Sequence, residues 1–319
     1  MKAIVLRNFG GPENLRLEEL PDPRPGPGEV LVQVTASSVN PIDTKIRAGA
    51  VPALSPELPA VLHGDVAGQI LAVGAGVTGW REGDCIFALG GGFKGSAGAL
   101  AEQMCIDARL LAKAPAKLSD AQTAALPVVG LTAWQAVVER AQVRPGQRVL
   151  IHGGSGGVGH IAVQLARTAG AHVTATVSTE EKAAVARELG AHEVHLGREV
   201  AECTFDAVID TLGGENLGRS LTQIGIGGTV VSIAGRTTAD LSPLHANGGT
   251  LHIVFVALPL LTGHNRETLA AQLSQLGRLV ELGELRPTLA ETFCFTEAAE
   301  AHATLEAGKH IGKIALSGW

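Results

Sequence analysis

The sequence Arg148-Val-Leu-Ile-His-Gly-Gly-Ser-Gly-Gly-Val-Gly-His-Ile-Ala-Val-Gln-Leu-Ala-Arg167 decides the fold of this chain. Its apolar run, Val149–Ile151, gives way to glycines and resumes as apolar residues at helical spacing, which indicates a strand, a tight turn and a helix. Gly154, Gly156 and Gly159 stand in Gly-x-Gly-x-x-Gly register. Glycines at this spacing permit the turn, let the backbone approach a pyrophosphate and let the helix lie close to the strand. The stretch therefore predicts a dinucleotide site, with phosphates on N–H groups at the helix N-terminus.

Alternating strand and helix patterns follow this motif. His172–Val177, Phe205–Asp210 and Gly228–Ala234 are candidate strands, and Thr179–Gly190 is a candidate helix that ends at a glycine. This alternation is what a doubly wound parallel sheet requires. A glycine-rich turn in a sheet that binds no ligand is the alternative.

The residues before the motif follow a different pattern. Short strand-like runs separated by glycine and proline turns indicate an irregular, barrel-like β domain. The candidate strands are Lys2–Arg7, Leu15–Leu20, Val30–Ala36, Val66–Val73, Asp84–Leu89 and Leu100–Ile106. Ser119 is the expected N-cap of a helix that runs past Trp134 to about Val143. Near the end of the chain we expect helices over Glu267–Leu282 and Thr296–Ala307 and a strand over Lys309–Ser317.

Length and composition are typical of a globular protein with two domains: 319 residues, 45% hydrophobic and 18% charged. No apolar segment is long enough to span a bilayer, and the chain opens on a strand-like run rather than a signal peptide, so we expect a cytoplasmic protein. A net charge of −6 without a basic run argues against nucleic acid as the main partner. The cysteines, Cys85, Cys105, Cys203 and Cys294, are scattered, so we expect reduced and mostly buried thiols.

The chain contains no tyrosine, and this constrains its chemistry. No phenol can donate a proton anywhere in the molecule. Reductases that use a Tyr-x-x-x-Lys pair, or an enone reductase that relies on a phenol, are therefore excluded.

Eight short motifs occur along the chain in an order that is shared with a known family. They are Met1-Lys-Ala3, Pro25-Gly-Pro-Gly-Glu-Val-Leu-Val32, Ser38-Val-Asn-Pro-Ile-Asp43, Gly64-Asp-Val-Ala-Gly68, Val73-Gly-Ala-Gly-Val77, Gly83-Asp84, Gly130-Leu-Thr-Ala-Trp134 and Gly312-Lys-Ile314. With them the chain resembles, over essentially its full length, the zinc-free, zeta-crystallin-like quinone oxidoreductase branch of the medium-chain dehydrogenases/reductases. The resemblance implies an α/β protein with a GroES-like, β-rich catalytic domain (residues 1–118 and 258–319) and a doubly wound Rossmann domain that binds NADPH (residues 119–257). It also implies an active site in the cleft between them.

Zinc-dependent relatives in this superfamily carry an early catalytic cysteine, a Gly-His-Glu motif and a structural lobe with four clustered cysteines. Here Asn40 stands at the position of the early cysteine, and the stretch from Cys85 to Cys105 has no closely spaced thiols. His63-Gly-Asp65 has a different order from Gly-His-Glu, and one histidine with an acidic neighbour cannot hold a catalytic zinc without further ligands. We therefore expect no metal, and we expect His63 to be a hydrogen-bonded residue of a turn.

The residues after the second strand of the sheet bear on the choice of cofactor. NAD enzymes place an Asp or Glu there, which binds the ribose hydroxyls and repels a 2′-phosphate. Here Ser178 and Thr179 follow the strand, and Lys182 and Arg198 can supply positive charge, so the sequence favours NADPH. Ser178 and Glu181 also fit a capping box, with Lys182 as a solvated helix residue, and both interpretations can hold together.

Carried over residue by residue, the resemblance implies that Asn40 reaches the nicotinamide ribose and Thr132 the nicotinamide or its phosphate. The alternatives are a loop asparagine that satisfies its own turn and a helix threonine that bonds to the preceding turn. Asp43 and Asp65 are acid/base candidates, and each also has an ordinary structural explanation. The expected cofactor-binding set, from motif and resemblance together, is Asn40, Thr132, Gly154, Ser155, Gly156, Gly157, Val158, Gly159, Ser178, Thr179, Lys182, Arg198, Thr211, Leu212, Ala234, Gly235, Arg236, Phe255 and Val256.

Together these features predict reduction of a quinone, or of a similar conjugated carbonyl, by direct hydride transfer from NADPH without a metal. A quinone suits a site without a dedicated acid, because its reduced form is a stabilised anion that solvent can protonate. A 2-alkenal or enone reductase and a non-catalytic, crystallin-like NADPH-binding protein are the alternatives. The resemblance also implies a homodimer through the Rossmann domain, with the apolar segment Thr250–Leu258 as the edge strand.

Overall fold

A computed structural model describes residues 1–200 and 204–319, and Cys203 lies outside them. The chain divides into two compact units. Unit 1 comprises Met1–Val128, Ala257–Gly283 and Pro287–Trp319, and unit 2 comprises Val129–Val256 and Glu284–Arg286. The division at Val128 places the segment 119–128 with the β-rich unit, whereas the family resemblance implies that it belongs to the Rossmann domain.

The first segment of unit 1 consists mainly of antiparallel strands. They are β1 (Lys2–Leu6), β2 (Leu15–Glu19), β3 (Glu29–Val39), β4 (Ala60–Val61), β5 (Asp65–Val73), β6 (Cys85–Leu89), β7 (Gln103–Asp107) and β8 (Ala112–Lys113), with the helices α1 (Pro41–Arg47) and α2 (Asp120–Ala124). The six predicted strands are confirmed, with ends shifted by up to three residues. Alternate side chains are buried in the first part of β3, which is the period-two pattern of a strand packed on a core, and its last four residues are all buried.

The prediction of one continuous helix from Ser119 to about Val143 is wrong, because the structure has two helices and a π-helical turn there. Ser119 does cap α2, since its hydroxyl accepts the N–H of Gln122 at 3.3 Å. The chain then starts a second helix, α3 (Pro127–Trp134), which passes into a π-helical turn, Gln135–Arg140. Pro127 has no N–H to donate and its ring excludes the preceding helical turn, so a new helix begins there.

Unit 2 is built on a six-stranded parallel sheet. Its elements are β9 (Arg148–His152), α4 (Gly159–Thr168), β10 (His172–Val177), α5 (Glu180–Glu188), β11 (Glu193–Leu196), β12 (Phe205–Asp210), α6 (Glu215–Thr222), β13 (Ile224–Ser232), α7 (Ser242–Ala246) and β14 (Thr250–Ile253). The spatial order β11-β10-β9-β12-β13-β14 is the 3-2-1-4-5-6 order of a dinucleotide-binding fold. The order reverses between β9 and β12, and ligands of such sheets bind beyond the strand ends at that point.

The last segment of the chain completes unit 1. It consists of α8 (Leu258–Thr262), α9 (Arg266–Leu282), β15 (Leu289–Phe293), α10 (Ala298–Ala307) and β16 (Lys313–Ser317). β16 joins the large sheet of unit 1 by antiparallel pairing with β3, where Ile314 lies opposite Val39. The register therefore sets Lys313 beside Asn40. The strand begins at Lys313 rather than at Lys309, because Gly312 has a φ of 73° and ends the preceding turn.

Two other sequence-based predictions need correction. The edge strand β14 ends at Ile253 rather than Leu258, since α8 begins at Leu258 with Pro259 in its first turn. Cys85 and Cys294 are exposed and Cys105 is partly exposed, so the prediction of mostly buried thiols is wrong for the described cysteines, which form no disulfide. Cys85 opens β6 on its solvent side, and Cys294 precedes the short 3₁₀ turn Phe295–Glu297. None of the described helices has both the length and the hydropathy needed to cross a membrane.

Candidate active site

Close packing around the glycine-rich turn after β9 leaves no space for a side chain at Gly154 or Gly159. A Cβ on Gly159 would lie 2.0 Å from the carbonyl oxygen of Gly153, and one on Gly154 would lie 2.7 Å from Cβ of Ala175 in β10. Both glycines therefore let α4 and β10 approach the turn, as the motif predicts. Gly153 has a φ of 71°, so the tight turn begins one residue before the motif. This role of Gly153 was missed from the sequence, although the glycine itself was visible.

The outer part of the same turn faces solvent. Gly156, Gly157 and Val158 are partly exposed, whereas Gly154 and Ser155 are buried. A Cβ on Gly156 would meet only one atom, the Gly153 oxygen at 3.3 Å. The backbone at Gly156 to Val158, which leads into the N-terminus of α4, can thus approach a phosphate group closely.

His152, the last residue of β9, ties three neighbouring elements together. Its Nε2 bonds Gln223 Oε1 at 2.8 Å and its Nδ1 bonds Thr176 Oγ1 at 3.0 Å. Because an amide oxygen only accepts, the imidazole is the neutral Nε2–H tautomer and Thr176 donates to Nδ1. Burial lowers the pKa of His152 and maintains this neutral form. The Thr211 hydroxyl donates to the His152 carbonyl at 2.6 Å, which fixes the start of the loop after β12.

The second strand, β10, ends without a carboxylate, as the sequence predicts. Thr179 rather than Ser178 is the N-cap of α5, because its Oγ1 accepts the Lys182 N–H at 3.3 Å, and the capping box predicted from Ser178 is wrong. Ser178 and Thr179 are exposed and Lys182 is half-buried. Arg198 is exposed and follows β11, which pairs with β10 up to Val177 and Leu196, so Arg198 leaves the same edge of the sheet.

Asp210, at the end of β12, organises the next two loops and was missed from the sequence. Its buried Oδ1 accepts the N–H groups of Leu212 and Gly213 at 3.1 and 3.0 Å and the Asn216 amide at 2.9 Å. Its Oδ2 accepts the Ser232 hydroxyl at 3.3 Å. A buried carboxylate with four donors is fully satisfied and rigid. It thereby fixes Thr211 and Leu212, and through Ser232 the segment that continues to Ala234, Gly235 and Arg236.

A cluster of buried polar side chains in unit 1 surrounds Asn40, the residue that follows β3. The Asn40 Nδ2 donates to Asp65 Oδ2 at 2.7 Å, and the Asn40 backbone N–H donates to Asp43 at 2.8 Å. Lys313 Nζ donates to Asn40 Oδ1 at 2.5 Å and to the Val39 carbonyl at 2.8 Å. The structure thus brings together Asn40, Asp43 and Asp65, all of which the sequence singled out. Lys313 belongs to the motif Gly312-Lys-Ile314, but nothing in the sequence alone marks its burial.

The two carboxyl groups of this cluster differ in their surroundings. Asp65 accepts the Ser38 hydroxyl, the Asn40 amide and the N–H of Val128 near the start of α3, and it lies 3.6 Å from the Lys313 ammonium. Burial, and then the nearby Asp65 charge, raise the pKa of Asp43 to about 7. Burial also lowers the pKa of Lys313, although both carboxylates favour its charged form. Both carboxylate oxygens of Asp65 are therefore occupied by hydrogen bonds.

His63, which was expected in a turn, belongs to a buried chain of hydrogen bonds with a defined direction. Arg47 has only donors, so it donates to His302 Nδ1 at 3.3 Å, and the His302 proton lies on Nε2. His302 Nε2 then donates to His63 Nε2 at 2.8 Å, and the remaining His63 proton, on Nδ1, is donated to Ser37 Oγ at 3.2 Å. The Ser37 hydroxyl in turn donates to the Asp65 carbonyl at 2.7 Å. Both imidazoles are consequently neutral and have both ring nitrogens occupied.

The remaining predicted residues lie in unit 2. Thr132 is buried on α3, with 6% of its surface exposed. Phe255 and Val256 follow β14, and Phe255 is 44% exposed. The loop residues Gly235 and Arg236 are also exposed, beyond the end of β13.

Comparisons with known proteins place this architecture in a family. Residues 26–116 match the family model of the alcohol dehydrogenase GroES-like domain, and residues 163–316 match that of the zinc-binding dehydrogenase. The quinone oxidoreductase of Homo sapiens is 34% identical over 331 residues, which cover 99% of this chain and 97% of that protein. Among solved structures, an alcohol dehydrogenase superfamily protein from Novosphingobium aromaticivorans is 40% identical with a TM-score of 0.95, and all of both chains is covered. A mycobacterial protein complexed with NADPH is 31% identical with a TM-score of 0.86 and coverage of 99% and 100%. The predicted fold class, a GroES-like domain with a Rossmann domain, is confirmed.

The tight contact at Gly159 gives a direct test of the turn. Gly159→Ala should lower the free energy of unfolding by about 1–3 kcal/mol or more, because its Cβ would clash with backbone 2.0 Å away. Gly218→Ala, in α6 where a Cβ meets nothing within 4 Å, is the matched control and should stabilise by up to about 1 kcal/mol. Urea unfolding of the three proteins measures both effects. Equal stabilities of the two variants would contradict the packing described for the turn.

The neutral histidine pair predicts a loss of stability in acid. Burial lowers the pKa of His302 to about 3, from 6.5 when unfolded, so below pH 6.5 the unfolded chain binds a proton that the folded chain does not. At pH 4 this single group should account for about 3 kcal/mol of destabilisation. Asp43, whose pKa is raised to about 7, acts in the opposite sense, because its contribution to stability is lost as pH rises from 3.8 through 7.

Urea unfolding of the native protein and His302→Gln, between pH 7 and pH 4, separates the two groups. The variant should lose about 3 kcal/mol less than the native protein on acidification, because glutamine can keep both hydrogen bonds without binding a proton. His245→Gln, on the exposed surface of α7, removes a histidine without touching the buried chain and serves as the control. Parallel stability curves for the native protein and His302→Gln would rule out the acid-sensitive pair.

Proposed function

The chain belongs to the quinone oxidoreductase branch of the medium-chain dehydrogenase/reductase family of oxidoreductases, and we propose that it uses NADPH to reduce quinones or similar conjugated carbonyls. The observation that carries this proposal is the turn after β9, where close backbone packing at Gly153, Gly154 and Gly159 leaves the N-terminus of α4 open to phosphates. The sheet order supports it, since β9 and β12 flank the point at which such sheets bind dinucleotides.

The residues around β10 support NADPH rather than NADH. Ser178 and Thr179 follow the last residue of the strand, Val177, so the strand tip carries no carboxylate that would repel a 2′-phosphate, and the first acidic residue is Glu180 in α5. Thr179 already accepts the Lys182 N–H, but its hydroxyl proton is still available to an anion. Lys182 and Arg198 would add positive charge at the same edge of the sheet. The solved mycobacterial relative that contains NADPH agrees with this choice.

We propose distinct tasks for the remaining residues. The backbone of Gly154 to Gly159, including Ser155 and Gly157, would hold the pyrophosphate, and the loops fixed by Asp210 would bring Thr211, Leu212 and the segment 234–236 to the cofactor. Asn40, Thr132, Phe255 and Val256 would position the nicotinamide end. When bound, NADPH supplies the hydride, and the protein's task is to bind, orient and exclude water.

The proposed reaction needs no dedicated acid from the described residues. Asp65 has both oxygens occupied by donors, and Asp43 accepts the Asn40 N–H at the start of α1, so each carboxyl has a structural task. Reduction of a quinone gives a stabilised anion that solvent can protonate. Asp43 and Asp65 are accordingly proposed as structural residues of the cluster, rather than as proton donors.

The donor set in unit 1 does not fit a catalytic zinc. Both nitrogens of His63 are engaged with Ser37 and His302, and the Asp65 carboxylate is saturated by its neighbours. Asn40, an amide, is a poor ligand for zinc, which prefers thiolate, imidazole and carboxylate groups. No group of three or more histidine, cysteine or acidic side chains in the described ranges could hold a metal ion. We propose that the enzyme works without zinc, although one of its family models is named for zinc binding.

Single-turnover oxidation of NADPH with a panel of quinones and enones tests the proposed function. Fast turnover with quinones is the expected result. A preference for 2-alkenals or enones would assign the chain to that reductase class instead, and tight NADPH binding without turnover of any acceptor would indicate a non-catalytic NADPH-binding protein.

The cofactor preference is testable at Lys182. The native protein should bind NADPH more tightly than NADH, and Lys182→Ala should weaken NADPH binding by about 1.5–3 kcal/mol, the value of one charge-assisted hydrogen bond. NADH binding should hardly change. Arg144→Ala, which removes an exposed positive charge from the turn before β9, is the control for general electrostatics. Equal affinities of the native protein for the two cofactors would refute the proposal.

Metal independence is tested by exhaustive chelation followed by elemental analysis. Because the donor atoms around His63 are already engaged within the protein, activity should survive chelation undiminished. Activity that disappears with the chelator and returns with added zinc would show that the cluster rearranges to hold the metal.

We also propose a homodimer formed through β14. This strand is the edge of the parallel sheet, where Ile253 is 47% exposed and the following Phe255 44% exposed. An unpaired edge with apolar side chains is a template for pairing with a second copy. Sedimentation at micromolar concentration should give a dimer, and Ile253→Lys should shift it towards monomer. A monodisperse monomer of the native protein would count against this assembly.

A further inference from the structure

We propose that Lys313 and Asp65 are positioning residues that hold the Asn40 amide in a single orientation, with an N–H of Nδ2 directed to an oxygen acceptor on the ligand, such as a ribose hydroxyl. This inference rests on the proposed function, because it takes the ligand to be the nicotinamide half of NADPH. It adds two residues, one from β5 and one from β16, that no motif assigns to ligand binding.

The orientation of the amide follows from the chemistry of its two neighbours. Lys313 carries only donors, so the atom 2.5 Å from its Nζ must be the Asn40 oxygen. An ionised Asp65 carries only acceptors, so the atom 2.7 Å from its Oδ2 must be the Asn40 nitrogen. A flipped amide would set donor against donor and acceptor against acceptor. The cation and the carboxylate together therefore exclude the flipped state, which an isolated asparagine would populate freely.

The two charged groups are themselves rigid. Lys313 is 3% exposed, and besides Asn40 its ammonium binds the Val39 carbonyl at 2.8 Å and lies 3.6 Å from Asp65. Asp65 is fully buried, and its Oδ1 accepts the Val128 N–H at 2.7 Å. Each partner of Asn40 is thus fixed by contacts that do not involve Asn40, which is what a positioning role requires.

The amide nitrogen keeps one donor for a ligand. Nδ2 carries two hydrogens, of which Asp65 takes one. The second can be donated to a hydroxyl or another oxygen acceptor. The Asn40 N–H can therefore bind an oxygen acceptor of the ligand at one fixed position. The ligand meets no net charge from Lys313 and Asp65, because their charges offset each other.

A double-mutant cycle on cofactor affinity tests the assignment. The dissociation constants of NADPH and of adenosine 2′,5′-bisphosphate, which lacks the nicotinamide riboside, are measured by calorimetry for the native protein, Lys313→Met, Asn40→Ala and the double variant. Lys313→Met and Asn40→Ala should each weaken NADPH about 3- to 10-fold, the value of one hydrogen bond. The bisphosphate should bind all four proteins alike. Lys313→Met should add nothing further once Asn40 is alanine.

Lys313→Met leaves the Asp65 carboxylate buried without its cation, which can prevent folding. The pair Asp65→Asn with Lys313→Met removes both charges together and leaves the net charge of the cluster unchanged. It too should lose NADPH affinity 3- to 10-fold and keep the bisphosphate affinity, because an amide at position 65 can present either its oxygen or its nitrogen to Asn40 and no longer excludes the flipped state. The fluorescence of bound NADPH, which reports on the nicotinamide alone, should change in the same variants.

The outcomes separate this inference from the proposed function. A native protein that binds neither nucleotide overturns the proposed function, and this inference with it. Native binding of both, with equal losses of both in the variants, overturns only the positioning role and shows a general structural effect. A Lys313→Met effect that persists undiminished in the Asn40→Ala background also overturns it.

Discussion

The antiparallel pairing of β16 with β3 is the contact on which unit 1 depends. It sets Ile314 opposite Val39 and so places a strand from the last residues of the chain between β15 and β3 in the large sheet. Without this register Lys313 would not reach Asn40 and Val39, and the Asn40 and Asp65 side chains would remain buried without a cation. The polar cluster therefore depends on one pairing of strands that are far apart in sequence.

The buried charges of unit 1 contribute specificity rather than large stability. Burying an ion pair costs desolvation that its attraction roughly offsets, whereas removing one partner is strongly destabilising. The same holds for the neutral histidines, which have satisfied partners only in one tautomer each. A network in which charged groups and single tautomers fix which atom donates and which accepts admits few alternative arrangements. Such a network suits a place where one amide must point in one direction.

The sequence predicted the strands around the glycine motif most exactly and the side-chain contacts of unit 1 least, whereas β13 starts four residues before the predicted Gly228. The parallel sheet is built from short, local units whose strands, helices and glycine turns leave clear periodic patterns, so His172–Val177 and Phe205–Asp210 were predicted to the residue. Periodic patterns do not resolve local geometry, and this applies to the capping of α5 by Thr179, the helix break before Pro127 and the exposure of Cys85. The contacts of His63 with His302, and of Asn40 with Lys313, join residues from opposite ends of the chain. Residue types alone give no signal for such pairs, and Asn40, Asp43 and Asp65 could be named as candidates but not as one cluster.

The place of β16 also has a consequence for synthesis on the ribosome. Unit 2 has nearly all of its residues in one continuous stretch, so it can fold as soon as that stretch has emerged. The sheet of unit 1 stays incomplete until β16 arrives, and closing so long a loop is slow. During that interval the apolar face of β3 and the groups around Asn40 lack their final partners. The nascent chain thus passes through a stage in which one half is native and the other waits, and chaperone contacts are expected to concentrate on the amino-terminal strands.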